Sequence, residues 1–553
     1  MFSSAKHPVL TGTAILTCAG ILSRLIGFFY RIFLSRTIGA QGLGIYQMIF
    51  PVYAFCLSGV TAGIQSALSR CCSAALSKGN PRKGWVFFLS GSGLSVGLSL
   101  IVSFFLYTRA PWISLHILHE IRCCELLQLL AFSLPLCSIH TCIHAWYFST
   151  RRTTVPAVSQ LLEQFARVCA SYVIYLIFLE QNLAPTPILA VGGMLFGELA
   201  ACFFCVVCLA FQKPSYKGTT DFRVRSCLWE ILTLSVPLTL NRMLVNLLQS
   251  TEAILIPGKL EASGLTNVQS LSLYGALTGM ALPFILFPSA ITSALSTMLL
   301  PTIAGQQAAG KEDAIIRSTE QTIQYCLLLG FLSGGIFFFF GKELAQIFYR
   351  NPDAGIFLQI LAFLCPFLYL TATLTGILNG LGHTVQCLIQ NLAGLGIRIL
   401  FVTFAIPHMG IRGYLFGLLL SQLIITGLNL IFLHKSVKFR FPAVEWIVLP
   451  CCGMILGCGC GLFLYRILSE MKMSGYIALF GSVLITGGIF LLMMKLFNLK
   501  KLHARACLKK AFRELRVPVC GRFYPNEGGV AGYGKEFWIH RVQNSRNHFI
   551  NQT

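Results

Sequence analysis

Fourteen stretches of about twenty mostly apolar residues follow one another through the chain with short polar breaks between them. A helix needs about 20 apolar residues to cross the hydrocarbon core of a bilayer, and in lipid only a helix or a closed barrel satisfies its own backbone. In the first half the stretches fall at roughly 9–34, 44–68, 85–107, 127–149, 154–179 and 188–211. They continue at roughly 229–256, 271–299, 322–341, 356–378, 384–406 and 411–433, and two more lie at roughly 446–467 and 474–497. Charged residues make up only 11% of the 553, and the mean hydropathy is +0.73, where a soluble domain carries about 25% charged residues. The expected fold class is an all-α polytopic membrane protein with about 14 transmembrane helices.

Net charge is +23, from 42 Lys and Arg against 19 Asp and Glu. No nucleic-acid-binding motif accompanies it, and the basic residues gather between apolar runs and in the C-terminal tail. With the N-terminus inside, alternate loops carry Arg70, Lys78, Arg82 and Lys83, then Arg151 and Arg152, then Lys213, Lys217, Arg223 and Arg225. Lys311, Arg317, Lys435, Lys438 and Arg440 follow on the same side. The opposite loops hold fewer basic residues, so both termini are expected in the cytoplasm, which suits an even span count. Lys6 precedes an apolar run longer than a signal-peptide core, with no small-residue cleavage site, and the first helix is expected to be retained.

A weak repeat divides the chain. Thr154, Val155, Gln160 and Leu162 fall on Thr384, Val385, Gln390 and Leu392, and Pro51 falls on Pro283 at nearly the same shift. Six spans separate the partners, so the halves run parallel, an arrangement that commonly encloses a cavity about an axis along the membrane normal. The expected organisation is a six-helix lobe over 1–212, a second over 213–440, two further helices over 441–498 and a basic tail over 499–553. The start of the tail, KKLHARACLKKAFRELR, is basic and amphipathic and suits the anionic inner-leaflet surface; its last 28 residues show no period.

The polar residues inside the spans point to function. An arginine at the bilayer centre costs at least about 2.5–3.5 kcal/mol on insertion scales, and such residues usually face a partner or a water-filled cavity. Arg24 and Arg31 are seven apart and share one face of the first span. In the fifth, Gln160, Glu163 and Arg167 form a stripe in which Glu163 and Arg167 can pair. In the seventh, Arg242, Asn246 and Gln249 share a face with Glu252 a turn beyond, and in the eleventh Asn391 and Arg398 are seven apart. These four spans are partners under the repeat, and arginines outnumber acids in them, which favours an anionic head group over a cationic drug. The substrate-binding candidates are therefore Arg24, Arg31, Gln160, Glu163, Arg167, Arg242, Asn246, Asn391 and Arg398, with Glu163 and Glu252 as candidates for coupling. Cys451, Cys452, Cys458 and Cys460 form the most metal-like run, but one helix cannot bring four such thiols to a tetrahedral point, so neither metal nor cofactor is expected there.

The segment SRLIGFFYRIFLSRTIGAQGLGIYQMIFPVY (23–53), with AGIQSALSR (62–70) and TVPAVSQLLEQFARV (154–168), resembles the stage V sporulation protein B family. That family lies in the polysaccharide-exporter branch of the multidrug/oligosaccharidyl-lipid/polysaccharide (MOP) flippases and is similar to the MurJ-type lipid II flippases. The resemblance covers most of 5–495. It implies two six-helix lobes in pseudo-two-fold repeat plus two C-terminal helices, and a lipid-linked, polyprenyl-diphosphate glycan as partner in the bacterial cytoplasmic membrane. It also implies traffic with cell-wall synthesis enzymes and no covalent chemistry. The family's Ser-Arg-x-x-Gly-Phe pattern is here Ser23-Arg24-Leu25-Ile26-Gly27-Phe28, which carries a cavity-arginine role to Arg24; Arg31 does not align with the pattern's second arginine. A cation-coupled exporter on the same fold, or a membrane glycan-processing enzyme, would instead want an acidic pocket or a catalytic set in an outward loop.

Overall fold

The computed structural model describes residues 8–211, 224–471 and 473–514. Among them there is no strand, and thirteen helices are long and apolar enough to cross a membrane. The first of these is a 63-residue run, Ile15–Ser77, which Gly39 divides: its φ of 68° is a left-handed conformation that costs glycine no Cβ clash. Fourteen spans result, as the apolar runs require. They are α1 (8–38), α2 (40–77), α3 (Pro81–His116), α4 (Cys123–Ser149), α5 (Thr154–Glu180), α6 (Ile188–Phe211) and α7 (Val224–Ala262). The remainder are α8 (267–308), α9 (Glu312–Tyr349), α10 (Pro352–Gly380), α11 (Thr384–Phe404), α12 (Ile411–Val437), α13 (Val444–Glu470) and α14 (Gly475–Glu514). The final 28 residues of the tail, expected to lack regular structure, lie outside the described residues.

Several spans are less regular than their apolar runs suggest. α8 begins at a capping box, in which Thr266 accepts from the Gln269 N–H and the Gln269 side chain accepts from that of Thr266. It then passes through a π turn at Ala276–Ala281 and breaks at residues 287–288 beside Pro288. α2, its partner under the repeat, also carries one π turn, at Ser58–Ala62. α10 tightens to 3₁₀ at Ala362–Leu364, just before Pro366, whose missing N–H interrupts the helical ladder.

The same pairwise packing recurs in the two halves. In the first, α1 packs on α5, α2 on α3 and α4, α3 on α4, and α6 on α4 and α5. In the second, α7 packs on α11, α8 on α9 and α10, α9 on α10, and α12 on α10 and α11. Six helices with identical neighbour relations in each half are the pseudo-two-fold repeat expressed as structure. α13 packs outside this scheme, against α9.

Successive spans run antiparallel, so one end of the bundle holds the turn at Gly39 and the other the turn at Gly79. Burial differs between the ends. Around the Gly39 end a single apolar core crosses both halves, joining Leu34, Leu43, Leu118 and Leu126 to Leu260, Leu271, Leu344, Phe357 and Ile406. Around the Gly79 end there are two cores. One holds Leu68, Phe87, Trp146 and Ile231; the other holds Ile303, Ile323, Leu374 and Leu433. Since apolar burial drives association, the halves are welded by one shared core at the Gly39 end, whereas at the Gly79 end they keep separate cores and meet through the start of α7, which packs on α2 and α3.

Candidate functional site

Between α1 and α8 lies a cavity of about 380 Å³, lined by Arg24, Gly27, Phe28 and Arg31 on one side and by Pro283, Leu286, Phe287, Ser289 and Ser293 on the other. The seven-residue spacing explains one wall: Arg24, Gly27, Phe28 and Arg31 follow the i, i+3, i+4, i+7 rule of a helix face. The broken geometry of α8 explains the other, because the interruption at 287–288 presents the Ser289 and Ser293 side of the next helix to the same space. Phe28 sits against Phe284 edge-on at 4.9 Å and against Phe287 at 4.8 Å, an aromatic clasp between the halves.

Arg24 is exposed and Arg31 half-buried, and neither makes a hydrogen bond or an ion pair with any described residue. No carboxylate lines the cavity. The buried Tyr349 hydroxyl, which makes no hydrogen bond among the described residues, lies within electrostatic reach of Arg31. Two unneutralised guanidiniums, each with donors in a planar fork, and two serine hydroxyls in one recess form an anion-binding arrangement.

The other stripe residues fall into separate places. Glu163 and Arg167 are ion-paired with each other, each mostly buried. α5 lies directly beside α1: a Cβ on Gly27 would sit 3.9 Å from Gln164, and the Tyr30 and Ser171 hydroxyls meet at 2.7 Å. In the second half, Glu252 of α7 accepts from Tyr414 of α12 at 2.8 Å and pairs with Arg398 of α11 at 3.5 Å. This triad ties three helices together. Asn246 is taken up in helix packing, donating to the Ala54 carbonyl at 3.2 Å. Gln160 and Asn391 are half-buried, and Arg242 is exposed with no described partner. Of the cysteine run, Cys458 is buried against α9, while Cys452 and Cys460 are exposed.

Two further groups carry no clear signal in the sequence. The first lies at the Gly39 end, where Arg36 donates to the Ile347 and Phe348 carbonyls at 2.6 and 2.8 Å, holding α1 to the C-terminal end of α9. Nearby, Glu120 accepts from Arg122 at 2.7 and 2.8 Å, and Arg122 reaches Asn267 at 3.3 Å. With the Gln41 amide oriented oxygen-first, that oxygen accepts from Arg122 at 2.7 Å. The Arg36 bonds and the Arg122–Asn267 bond cross between the halves where the common core lies. At the Gly79 end the described polar link is Lys83–Glu230 at 3.9 Å, between half-exposed side chains. The second group is Cys137, His140 and Glu198, buried between α4 and α6. The i, i+3 spacing of Cys137 and His140 signals a shared face, but nothing in the chain order points to Glu198 as its neighbour.

A second cavity, of about 580 Å³, is lined by Lys342, Glu343, Gln346 and Ile347 of α9, Pro352 and Ile356 of α10, Tyr465 and Gly475. It carries opposed charges, and no stripe residue reaches it.

Comparison with known proteins agrees with this architecture. The chain is 27% identical over 531 residues to stage V sporulation protein B of Bacillus subtilis (strain 168), covering 94% of this chain and 99% of that one. It is 22% identical over 489 residues to the lipid II flippase MurJ of the same organism, covering 81% and 87%. Among solved structures, a MurJ in an inward closed conformation superposes with a TM-score of 0.68 at 14% identity, covering 88% of this chain and all of that one. An inward-facing MATE multidrug transporter of the MOP superfamily gives 0.60 at 13%, covering 77% and 98%. The MatE family model matches residues 237–404, and a family of unknown function matches 508–539. The model for the polysaccharide biosynthesis protein family matches residues 9–307, more than half of the chain, and with the repeat, the welded end and the basic cavity it places this multi-pass membrane protein in that family.

Proposed function

We propose that this chain moves a lipid-linked glycan carrying a polyprenyl diphosphate across the bacterial cytoplasmic membrane by alternating access. The observation that carries the proposal is the cavity at the junction of the halves, where Arg24 and Arg31 stand unneutralised opposite Ser289 and Ser293. Arg24 and Arg31 hold the diphosphate. Arg242, Gln160 and Asn391 serve the sugars, and the lipid tail stays in the bilayer. A recess of about 380 Å³ suits a diphosphate and its first sugar, being at the small end of the range for ligand sites. The lobes 1–212 and 213–440 rock against each other, while 441–498 stays beside the second.

With both termini in the cytoplasm, the Gly79 end, where the halves keep separate cores and meet through α7, faces the cytoplasm and the welded Gly39 end faces outward, the state that loads substrate. Glu163 and Glu252, each held by an arginine, are the groups whose charge state couples to lobe movement. No bond is made or broken, so the chain acts as a transporter, and wall-building enzymes take over the unit it delivers. Outward movement of net negative charge is favoured by an inside-negative potential, at about 2.3 kcal/mol per charge per 100 mV. A relative named as a lipid II flippase makes lipid II the first substrate to test.

The test is flipping of fluorescent lipid II in proteoliposomes, wild type beside Arg24→Ala and Arg31→Ala, with folding of each checked. Loss of transport in Arg24→Ala, with Arg24→Lys partly active, is expected. A folded wild type that moves no lipid-linked glycan but exports organic cations would replace this function with that of a cation-coupled exporter.

A further inference from the structure

We infer that Cys137, His140 and Glu198 form a binding site for a divalent transition-metal ion of the zinc class, inside the first half and apart from the substrate cavity. Their ligating atoms, Sγ, a ring nitrogen and a carboxylate oxygen, lie within 4.8 Å of one another, and all three residues are buried. His140 Nδ1 and Glu198 Oε2 face each other at 3.4 Å, and neither makes a hydrogen bond. With relative exposures of 6% and 5%, these are buried polar atoms that make no hydrogen bond among the described residues, in the middle of a membrane helix bundle. Such atoms are costly unless something satisfies them. Cys137 Sγ makes a long contact of 3.7 Å to Thr141 Oγ1 and also lies beside the Glu198 carboxylate.

The donor set selects the ion. Thiolate, imidazole and carboxylate together suit zinc and its neighbours, whereas calcium and magnesium take oxygen ligands. Charge balance points the same way: a divalent cation with one thiolate, one carboxylate and a neutral imidazole sums to zero. The adjacent Glu163–Arg167 pair, within electrostatic reach of Glu198, also sums to zero. Zinc bonds of about 2.0–2.3 Å set tetrahedral ligand atoms about 3.3–3.8 Å apart, so the site closes by rotamer adjustment. Three protein ligands leave a fourth position open, the pattern of an exchangeable rather than a closed structural ion. Bound there, the ion clips α4 to α6 behind the α5 stripe.

The experiment uses the full chain, purified in detergent and stripped with a chelator, titrated with cobalt(II). A thiolate-to-cobalt charge-transfer band that saturates at one equivalent, and a rise in thermal midpoint with zinc, are expected. Cys137→Ser removes the band, whereas Cys452→Ser, at an exposed thiol, keeps it. If Cys137→Ser does not fold, His140→Gln decides: at least tenfold weaker cobalt binding supports the site, and unchanged affinity overturns it. Absence of the band in folded wild type, or its survival in Cys137→Ser, also overturns it. None of these readouts depends on flipping, so the metal site and the proposed transport stand or fall separately.

Discussion

The welded end depends on two glycines that leave no room for a side chain. A Cβ on Gly44 of α2 would run into the Leu271 carbonyl of α8, and a Cβ on Gly275 of α8 would run into the Ala40 carbonyl and the Gly44 amide. Both obstacles are backbone, which cannot swing aside as a side-chain tip can. Gly275→Ala must therefore push α8 away from α2, and it does so only while the Gly39 end is closed. Overpacking of this kind costs about 1–3 kcal/mol, and the gain in helix propensity is common to both states and cancels. The balance between closed and open should shift by about 5- to 150-fold towards open. Amide hydrogen exchange followed by mass spectrometry reads this directly: peptides covering Asn267–Gly275 should exchange faster in Gly275→Ala, while those from α3 should not change. Gly93→Ala is the control, because its Cβ meets nothing within 4 Å; it should leave Asn267–Gly275 unaltered. Unchanged exchange at Asn267–Gly275 in a folded Gly275→Ala protein would refute the argument that backbone contact holds this end shut.

Further expectations concern the charged groups. Glu252→Gln leaves Arg398 facing a neutral partner in a mostly buried site, and breaking such a pair costs about 3–5 kcal/mol; thermal unfolding in detergent should show that loss, and the double variant Glu252→Gln, Arg398→Met should recover most of it. Arg36→Gln removes two bonds from a charged donor, each worth about 1.5–3 kcal/mol before allowance for its exposure; faster exchange at the α9 C-terminus is expected, and an unaltered rate would show that the apolar core alone closes this end. In the 117–122 loop, hydrogen bonds from Arg122 hold the Glu120 carboxyl below the usual carboxylate range. Its stabilising contribution is thus complete above about pH 4.3, the ordinary value for glutamate, and falls away as pH drops through the lower folded value. A stability–pH profile of Glu120→Gln should lack that acid-side decline, and a profile identical to wild type would sink this assignment.

What was legible in the sequence was whatever depends on one helix at a time. Fourteen apolar runs gave fourteen spans because the length needed to cross a bilayer is a property of each segment alone. The face shared by Arg24 and Arg31 was legible for a similar reason: helical phase is local, and both line one cavity. Glu163 and Arg167, four apart on one turn, were likewise readable as partners. The break in α8 was visible only as prolines, which mark a kink without saying which side it turns towards.

Partnerships between helices were a different matter. Glu252 stood out as an acid in a span, but its joint hold by Arg398 and Tyr414 joins residues 146 and 162 positions away, and no periodicity links them. Asn246 has the signature of a cavity residue and is spent instead on the Ala54 carbonyl, because a polar side chain in lipid takes whichever backbone group packing brings near. The same holds for the approach of Glu198 to Cys137 and His140, and for Arg36 at the end of α9. By itself, then, the sequence determined the spans, their faces and the excess of positive charge among them, since hydrophobic length and helical phase act within a segment. The tertiary structure decided which charges stay unpaired, which end of the bundle is closed and where the cavity lies, since each of these depends on distances between helices that only their packing sets.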